Sequence, residues 1–274
     1  MSSNKAREVI HTRIWGEEPE PDNAFAAAVC RCHGYDVYGD VLGKAGWVEY
    51  LYLLFRGEAP TSTQSRLLED LAVALANPGP RDASVHAAMA GGVGGGTAAA
   101  CLTAALAVGA GGLGGAREVH RAMTCFTAWG TDVEAWRTGL PRFADVGVVE
   151  VWPVPEHPPG FDPHGVSCPT PVRQTLAHLA RLSTGPYLPW LEAQRYELEA
   201  IAGLPLAMPA VTAAALADLG FDADQGEMLT LLLRLPGAAA HALEQRQLGY
   251  KQFPFFGIEL ENDPEARADA RSAP

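Results

Sequence analysis

The chain has 274 residues, 48% of them hydrophobic, and a formal net charge of −12. That length and apolar content suffice for a sizeable core, in one large domain with or without a smaller lobe. The charge excludes a general nucleic-acid binder, since no basic surplus exists to replace counterions, but it leaves room for a local basic pocket.

In chain order, residues 1–33 read as an N-terminal arm with a short helix from Asn23 to Cys32, preceded by Pro19 and Pro21. Gly34 and Gly39 allow turn geometry, and Asp36 or Asp40 can cap a following helix over 40–57. Val41, Trp47, Val48, Leu51, Tyr52 and Phe55 give that helix a broad apolar face, and Gly57 and Pro60 stop it. A second helix is expected from Thr63 to Ala76, followed by a break at Asn77-Pro78-Gly79-Pro80. Further helices are expected over Ser84–Met89, Ala98–Val108 and Ala116–Trp129, separated by glycine-rich joints at Gly91–Gly96 and Gly109–Gly115. Residues 139–169 are rich in proline, glycine and valine, with one candidate strand at Val146–Trp152. Helices resume over Pro171–Leu182, Leu188–Ile201, Ala207–Leu219, Asp224–Leu233 and Pro236–Leu248.

Strand signals are scarce, so the expected class is all-α, a large helical domain with a smaller helical lobe. The large domain is assigned residues 34–138 and 206–261, the lobe and its loops 139–205, and a disordered tail 262–274. The five cysteines Cys30, Cys32, Cys101, Cys125 and Cys168 form no disulfide framework, which points to a reduced, cytoplasmic protein. Cys30-x-Cys32-His33 is a residue too short for the usual zinc pair and no second pair follows, so no metal is expected. Met1–Arg13 lacks a signal-type apolar stretch, and no apolar run reaches the roughly 20 residues needed to span a bilayer.

The string from Gly34-Tyr35-Asp36 to Leu53-Leu54-Phe55-Arg56-Gly57-Glu58-Ala59-Pro60-Thr61 resembles the opening motif of the citrate synthase and citryl-CoA lyase superfamily. The resemblance runs from about Tyr35 to Pro254, and it implies that family's multi-helical fold and a homodimer paired through the glycine- and alanine-rich helices. It also implies carbon–carbon bond chemistry on a carboxylated acyl-CoA, with coenzyme A as substrate or product moiety and no permanently bound cofactor. The alternative is a catalytically silent homologue that binds acyl-CoA or partners an active subunit. No membrane or nucleic-acid partner is expected.

The site residues implied are as follows. The second glycine joint, with Gly111, Gly112, Gly114 and Gly115, matches the family's histidine-glycine-glycine-alanine string and would meet the CoA thioester through its N–H groups. The bland reading of both joints is helix-end loops in close backbone contact. Leu113 stands where the family's histidine would be, as in the ATP-citrate lyase branch, which also lacks it. Pro159-Gly160-Phe161-Asp162-Pro163-His164 resembles the family's glycine-phenylalanine-glycine-histidine loop, so His164 would polarise the reacting carbonyl and Arg173 would grip a carboxylate. Arg234 matches a carboxylate-binding arginine, with His241 on the same motif. The histidine that orients the oxo-acid falls on Pro78, leaving His86 and Arg81 as nearby substitutes. The general base falls on Pro209, leaving Asp162, Asp82, Asp218 and Glu244 as other acids. The final family arginine falls on Gln252.

Overall fold

The computed structural model describes residues 10–141, 157–254 and 256–258. The candidate strand at 146–152 and the tail from 262 lie outside the described residues.

The N-terminal arm is a small antiparallel sheet. Strands β1 (Trp15–Pro19), β2 (Ala27–Cys32) and β3 (Tyr35–Asp36) pair in that order, with Trp15 opposite Cys32 and Arg31 opposite Asp36. The helix expected over Asn23–Cys32 is therefore not formed. Asn23 bends the chain instead, its side chain accepting from the Phe25 amide at 3.0 Å. So short a helix has little intrinsic stability, whereas pairing on both sides satisfies the β2 backbone and buries Cys32.

Asp36 caps a π-helical turn, Val37–Val41. The helix expected over 40–57 starts late, as α1 (Trp47–Arg56), because Gly43 is left-handed at φ +82° and the chain enters the helix only at Gly46. Next come α2 (Ser62–Leu75), α3 (Ala83–Val93), α4 (Ala98–Gly109), α5 (Ala116–Trp129) and α6 (Val133–Gly139). The C-terminal half holds α7 (Thr170–Leu182), α8 (Tyr187–Ala202), α9 (Met208–Asp218), α10 (Ala223–Leu248) and a 3-10 turn at Tyr250–Gln252. The all-α expectation holds, with the arm as its one sheet among the described residues.

Packing explains two departures from the sequence reading. Helix α3 runs on through Gly91 and Gly92 because bare backbone is needed there: a Cβ on Gly92 would lie 2.2 Å from the Ala242 carbonyl oxygen. Helix α10 is continuous where two helices were expected, with Pro236 inside it. Pro236 has no N–H to give, and the next amide, that of Gly237, leaves the helix to bond the Ala76 carbonyl at 2.7 Å. Gly237 is needed for that approach, since a Cβ there would meet the same oxygen at 2.5 Å.

Helix α9 sits at the centre, with Pro209 through Leu216 all buried. Around it lies the main core, which includes Leu68, Leu71, Phe126, Leu176, Leu191 and Leu229. A second, smaller core joins α3, α4 and the distal half of α10, through Val85, Ala88, Met89, Cys101, Ala105, Ala238 and Ala242. Its small side chains suit closely spaced helices. None of the described helices is long and apolar enough to cross a membrane.

Candidate functional site

Four segments converge near the start of α9. The loop 157–165 is sewn to the strand-like run before that helix: Asp162 N donates to Pro205 O at 2.8 Å, Ala207 N donates to Gly160 O at 2.9 Å, and Phe161 pairs with Leu206. Gly160 is left-handed, φ +92°, and presses on Ala210, so only glycine fits there. The same loop is tied to α5. Glu118, only 2% exposed, accepts from Gly160 N at 2.8 Å and lies 3.3 Å from His157 Nε2. Its other oxygen accepts from Gly114 N at 2.5 Å, which brings in the second glycine joint. Gly114 then accepts from Arg234 Nη1 at 2.8 Å, which brings in α10.

Arg234 is already engaged at both ends. Its other terminal nitrogen forms an ion pair with Asp82, and both side chains are largely buried. Asp82 is also the N-cap of α3, accepting from Ser84 N at 3.0 Å. The expected carboxylate-binding arginine is thus closed on a carboxylate of its own chain.

The other expected residues are placed as follows. His164 is exposed at the loop tip, where its amide donates to Asp162 Oδ1 at 2.9 Å, so Asp162 shapes the turn that presents it. His86 stacks against Phe253, ring centroids 5.3 Å apart, on the side of the smaller core. His241 lies between Asn77 Oδ1 at 3.2 Å and Glu244 Oε2 at 3.3 Å, where it fastens α10 to the break after α2. Arg81 is exposed beside Asp82. Gly111, Gly112 and Gly114 are at or near the surface, but the Gly114 amide is spent on Glu118, and Gly115 is buried against Gly109 and Gly111. Leu113 is 57% exposed. Pro209 is buried in the first turn of α9. Asp218, at the far end of that helix, caps α8 through the amides of Tyr187 at 2.8 Å and Leu188 at 2.9 Å. No base stands at the Pro209 position.

Beyond the loop lies a groove of about 510 Å³, lined by residues 165–168, Arg173, the 195–200 stretch of α8 and 203–205. This volume falls within the range of small-molecule sites, roughly 300–1,000 Å³. Arg173 is exposed and donates to Thr170 Oγ1 at 2.9 Å. Arg195 stacks over the Tyr196 ring at 3.8 Å and grips both oxygens of Glu199, at 3.0 and 2.9 Å. Burial works against the Arg195 charge, but the Glu199 hydrogen bonds outweigh it and keep the guanidinium firmly protonated. Burial, reinforced by Glu199, raises the Cys168 thiol, so that residue is a poor nucleophile.

His120, Asp224 and Glu227 form a cluster whose ligand atoms lie within 4.8 Å of one another. Its chemistry fits a metal poorly. Arg117 holds Glu227 at 2.9 Å, and His120 Nδ1 is buried without, among the described residues, the acceptor that a metal-bound histidine ordinarily uses.

Comparison with solved structures matches this architecture over nearly the whole chain. The citryl-CoA lyase of Hydrogenobacter thermophilus superposes with a TM-score of 0.67 at 19% identity, covering 95% of this chain and all of that one. The fold is that of citryl-CoA lyase. ATP citrate lyase from Methanothrix soehngenii, in complex with citrate and coenzyme A, gives 0.67 at 18% identity, over 95% of this chain and 43% of its own length. The D541A mutant of Methanosaeta concilii ATP citrate lyase, in complex with (3S)-citryl-CoA, gives 0.69 at 14% identity, over 96% and 44%. No family model and no curated protein sequence matches the chain.

The sequence reading missed Glu118 and His157, and both have a legible signal. Glu118 falls on the buried stripe of α5 with Ala122, Cys125 and Phe126, an unusual place for a carboxylate without a partner. His157 shares its loop with His164 but stands on the buried side.

Proposed function

We propose that the chain binds a CoA thioester on its citryl-CoA lyase-like fold and does not carry out citrate-type carbon–carbon chemistry at an enzyme's rate. The nucleotide end lies in the groove edged by Arg173, which is exposed and donates to a hydroxyl, whereas Arg195 on the same groove is paired with Glu199. The thioester end reaches past the His164 loop to the glycine joint at residues 111–115. Two neighbours of the same fold hold coenzyme A or citryl-CoA, which supports the choice of ligand.

The observation that carries the second half is the closure of Arg234 on Asp82. The Arg234 charge is already neutralised by Asp82 at a largely buried site, and Nη1 is held by the Gly114 carbonyl, so a substrate carboxylate would have to displace or share a carboxylate of the chain itself. The buried proline at the expected base position points the same way, since proton transfer at the α-carbon needs a positioned acceptor, typically worth about 10²–10⁴ in rate. One observation favours a second reading, an enzyme acting on an acyl-CoA that presents no free carboxylate to Arg234: His164 is exposed on a tightly held turn beside the groove.

Calorimetry with coenzyme A and with citrate tests the binding claim: CoA binds and citrate alone does not. Absence of CoA binding would remove the proposal. Exchange of acetyl-CoA methyl protons into deuterated water tests the chemistry. No exchange is expected. Rapid exchange lost in His164→Ala would establish the second reading, and rapid exchange surviving it would also remove the role given to His164.

We also propose a homodimer built on α4. Ala99, Ala100, Thr103 and Ala107 form an exposed, uncharged face on that helix. A helix apolar on all sides is ordinarily covered. Light scattering at the monomer mass at micromolar concentration would refute this.

A further inference from the structure

We infer that Glu118 is a positioning residue, whose buried carboxylate makes the Arg234 end and the groove end of this region one mechanical unit. The geometry is a continuous run of hydrogen bonds. Asp82 holds Arg234, Arg234 holds the Gly114 carbonyl, and the Gly114 amide holds Glu118. Glu118 holds the Gly160 amide and the His157 ring, and the Gly160 carbonyl holds Ala207 at the head of α9. Each link is a named donor on a named acceptor, and among the described hydrogen bonds the two halves of the run meet at Glu118.

A carboxylate is the group this place demands. Three N–H donors point at it, two of them backbone amides that cannot turn away. An ionised carboxylate has acceptor sites for all three, whereas an amide side chain would set a donor of its own against one of them. Helix N-terminal electrostatics alone do not explain the residue, because an exposed acid in the first turn would serve that purpose without desolvation. His157 adds to the case. Among the described residues its Nδ1 is buried with no partner, so the bond made by Nε2 is the one that holds the ring there.

For its binding readout the inference rests on the reading that the groove takes a CoA thioester. For its structural readout it does not. The test compares wild type, Glu118→Gln and Glu118→Asp by residue-resolved amide hydrogen exchange and by CoA calorimetry. In Glu118→Gln the amides of Gly114 and Gly160 should exchange at least about tenfold faster, the scale of one charge-assisted hydrogen bond, while the amides within α5 keep their protection. CoA affinity should fall by a similar factor. Glu118→Asp, which keeps the charge but is a methylene shorter, should restore protection to one loop only. Unchanged exchange at Gly160 in folded Glu118→Gln overturns the inference. So does an equal rise across α5 and both loops, which is what a merely structural acid would give.

If Glu118→Gln does not fold, Arg234→Lys decides the matter from the other end of the run. Faster exchange at Gly160, which Arg234 does not touch, supports the inference, and an unmoved Gly160 overturns it. Failure of the wild type to bind CoA would sink the proposed function alone, leaving the exchange data to decide on Glu118.

Discussion

In the first glycine-rich joint, Gly91–Gly96, absent side chains make room for backbone. Gly91 lies against Cys101, Gly92 against the Ala242 carbonyl, and Gly96 against the carbonyl of Gly91. In the second, Gly109–Gly115, Gly109 lies close against Ser84, and the tightest fit is that of Gly115 against the carbonyls of Gly109 and Gly111. Its neighbour Gly114 has open space around it and serves through its peptide groups, the N–H to Glu118 and the C=O to Arg234. Two stretches of matching composition thus hold the molecule together in different ways, one by contact and the other by charge-linked hydrogen bonds. A glycine-rich joint becomes informative only when the charged residues that reach it are known.

The sharpest way to break that contrast is to add a methyl group in each joint. Gly92→Ala should cost about 3 kcal/mol or more in denaturant unfolding, since its Cβ meets fixed backbone and no flexible side chain can yield. CoA affinity in the protein that still folds should be unaltered. A loss below about 1 kcal/mol would show that α3 and α10 separate readily, and the first joint would not be a contact device.

The charge-linked joint is probed from its far end. Arg234→Ala should cost about 2 kcal/mol, because Asp82 and the Gly114 carbonyl both lose their partner. The complementary change is a gain. Asp82→Asn frees one edge of the guanidinium, so citrate binding should become measurable by calorimetry, and it should vanish again in the double variant with Arg234→Ala. Citrate binding unaffected by either substitution would take Arg234 out of the ligand's reach.

Gly114→Ala should be milder, about 1 kcal/mol, because the cost is only the left-handed backbone at φ +65° with nothing for the methyl to strike. A loss as large as that of Gly92→Ala would erase the distinction between the joints.

The smallest effect is a control remote from both. Burial tends to raise the Asp70 carboxyl, but hydrogen bonds from His178 and Arg66 outweigh it and hold the group below its usual range. A depressed folded value stabilises above the unfolded pKa of about 3.9 and is lost as pH falls through the folded one. Asp70→Asn should therefore flatten the acid limb of a melting-temperature profile below about pH 4, with less than about 1 kcal/mol lost at neutral pH. The α2–α7 contact through His178 at 2.7 Å is what it would weaken.

Most of the helices were legible because periodicity and breakers agree. Helix α5 was expected at Ala116–Trp129, the range observed, between Gly115 and Gly130. The sequence misled where local preference and long-range pairing disagree. The alanines of β2 favour a helix, and only the partner strands on either side decide otherwise. Pro236 is the mirror case, a strong breaker overruled because the Gly237 amide finds its bond on Ala76, the residue that ends α2. The candidate site was legible as a set of segments. His164, the start of α9, the glycine joint and Arg234 belong to one connected region, while His86 and His241 serve packing elsewhere. What the sequence could not supply was the counter-charge: nothing in the string around Asp82 announces that it closes on an arginine 152 positions later.

The proline within α10 has one more consequence. Leu229 and Leu233, before it, belong to the main core, and Ala238 and Ala242, after it, to the smaller one. The helix is a girder with a joint at the wall between two rooms. The second room is furnished largely with alanines and gains less from burial, so native-state amide exchange is expected to show it opening before the main core. Arg234 stands two residues short of that joint, so the grip on Asp82, at the head of a helix in the weaker room, is expected to loosen in the same opening.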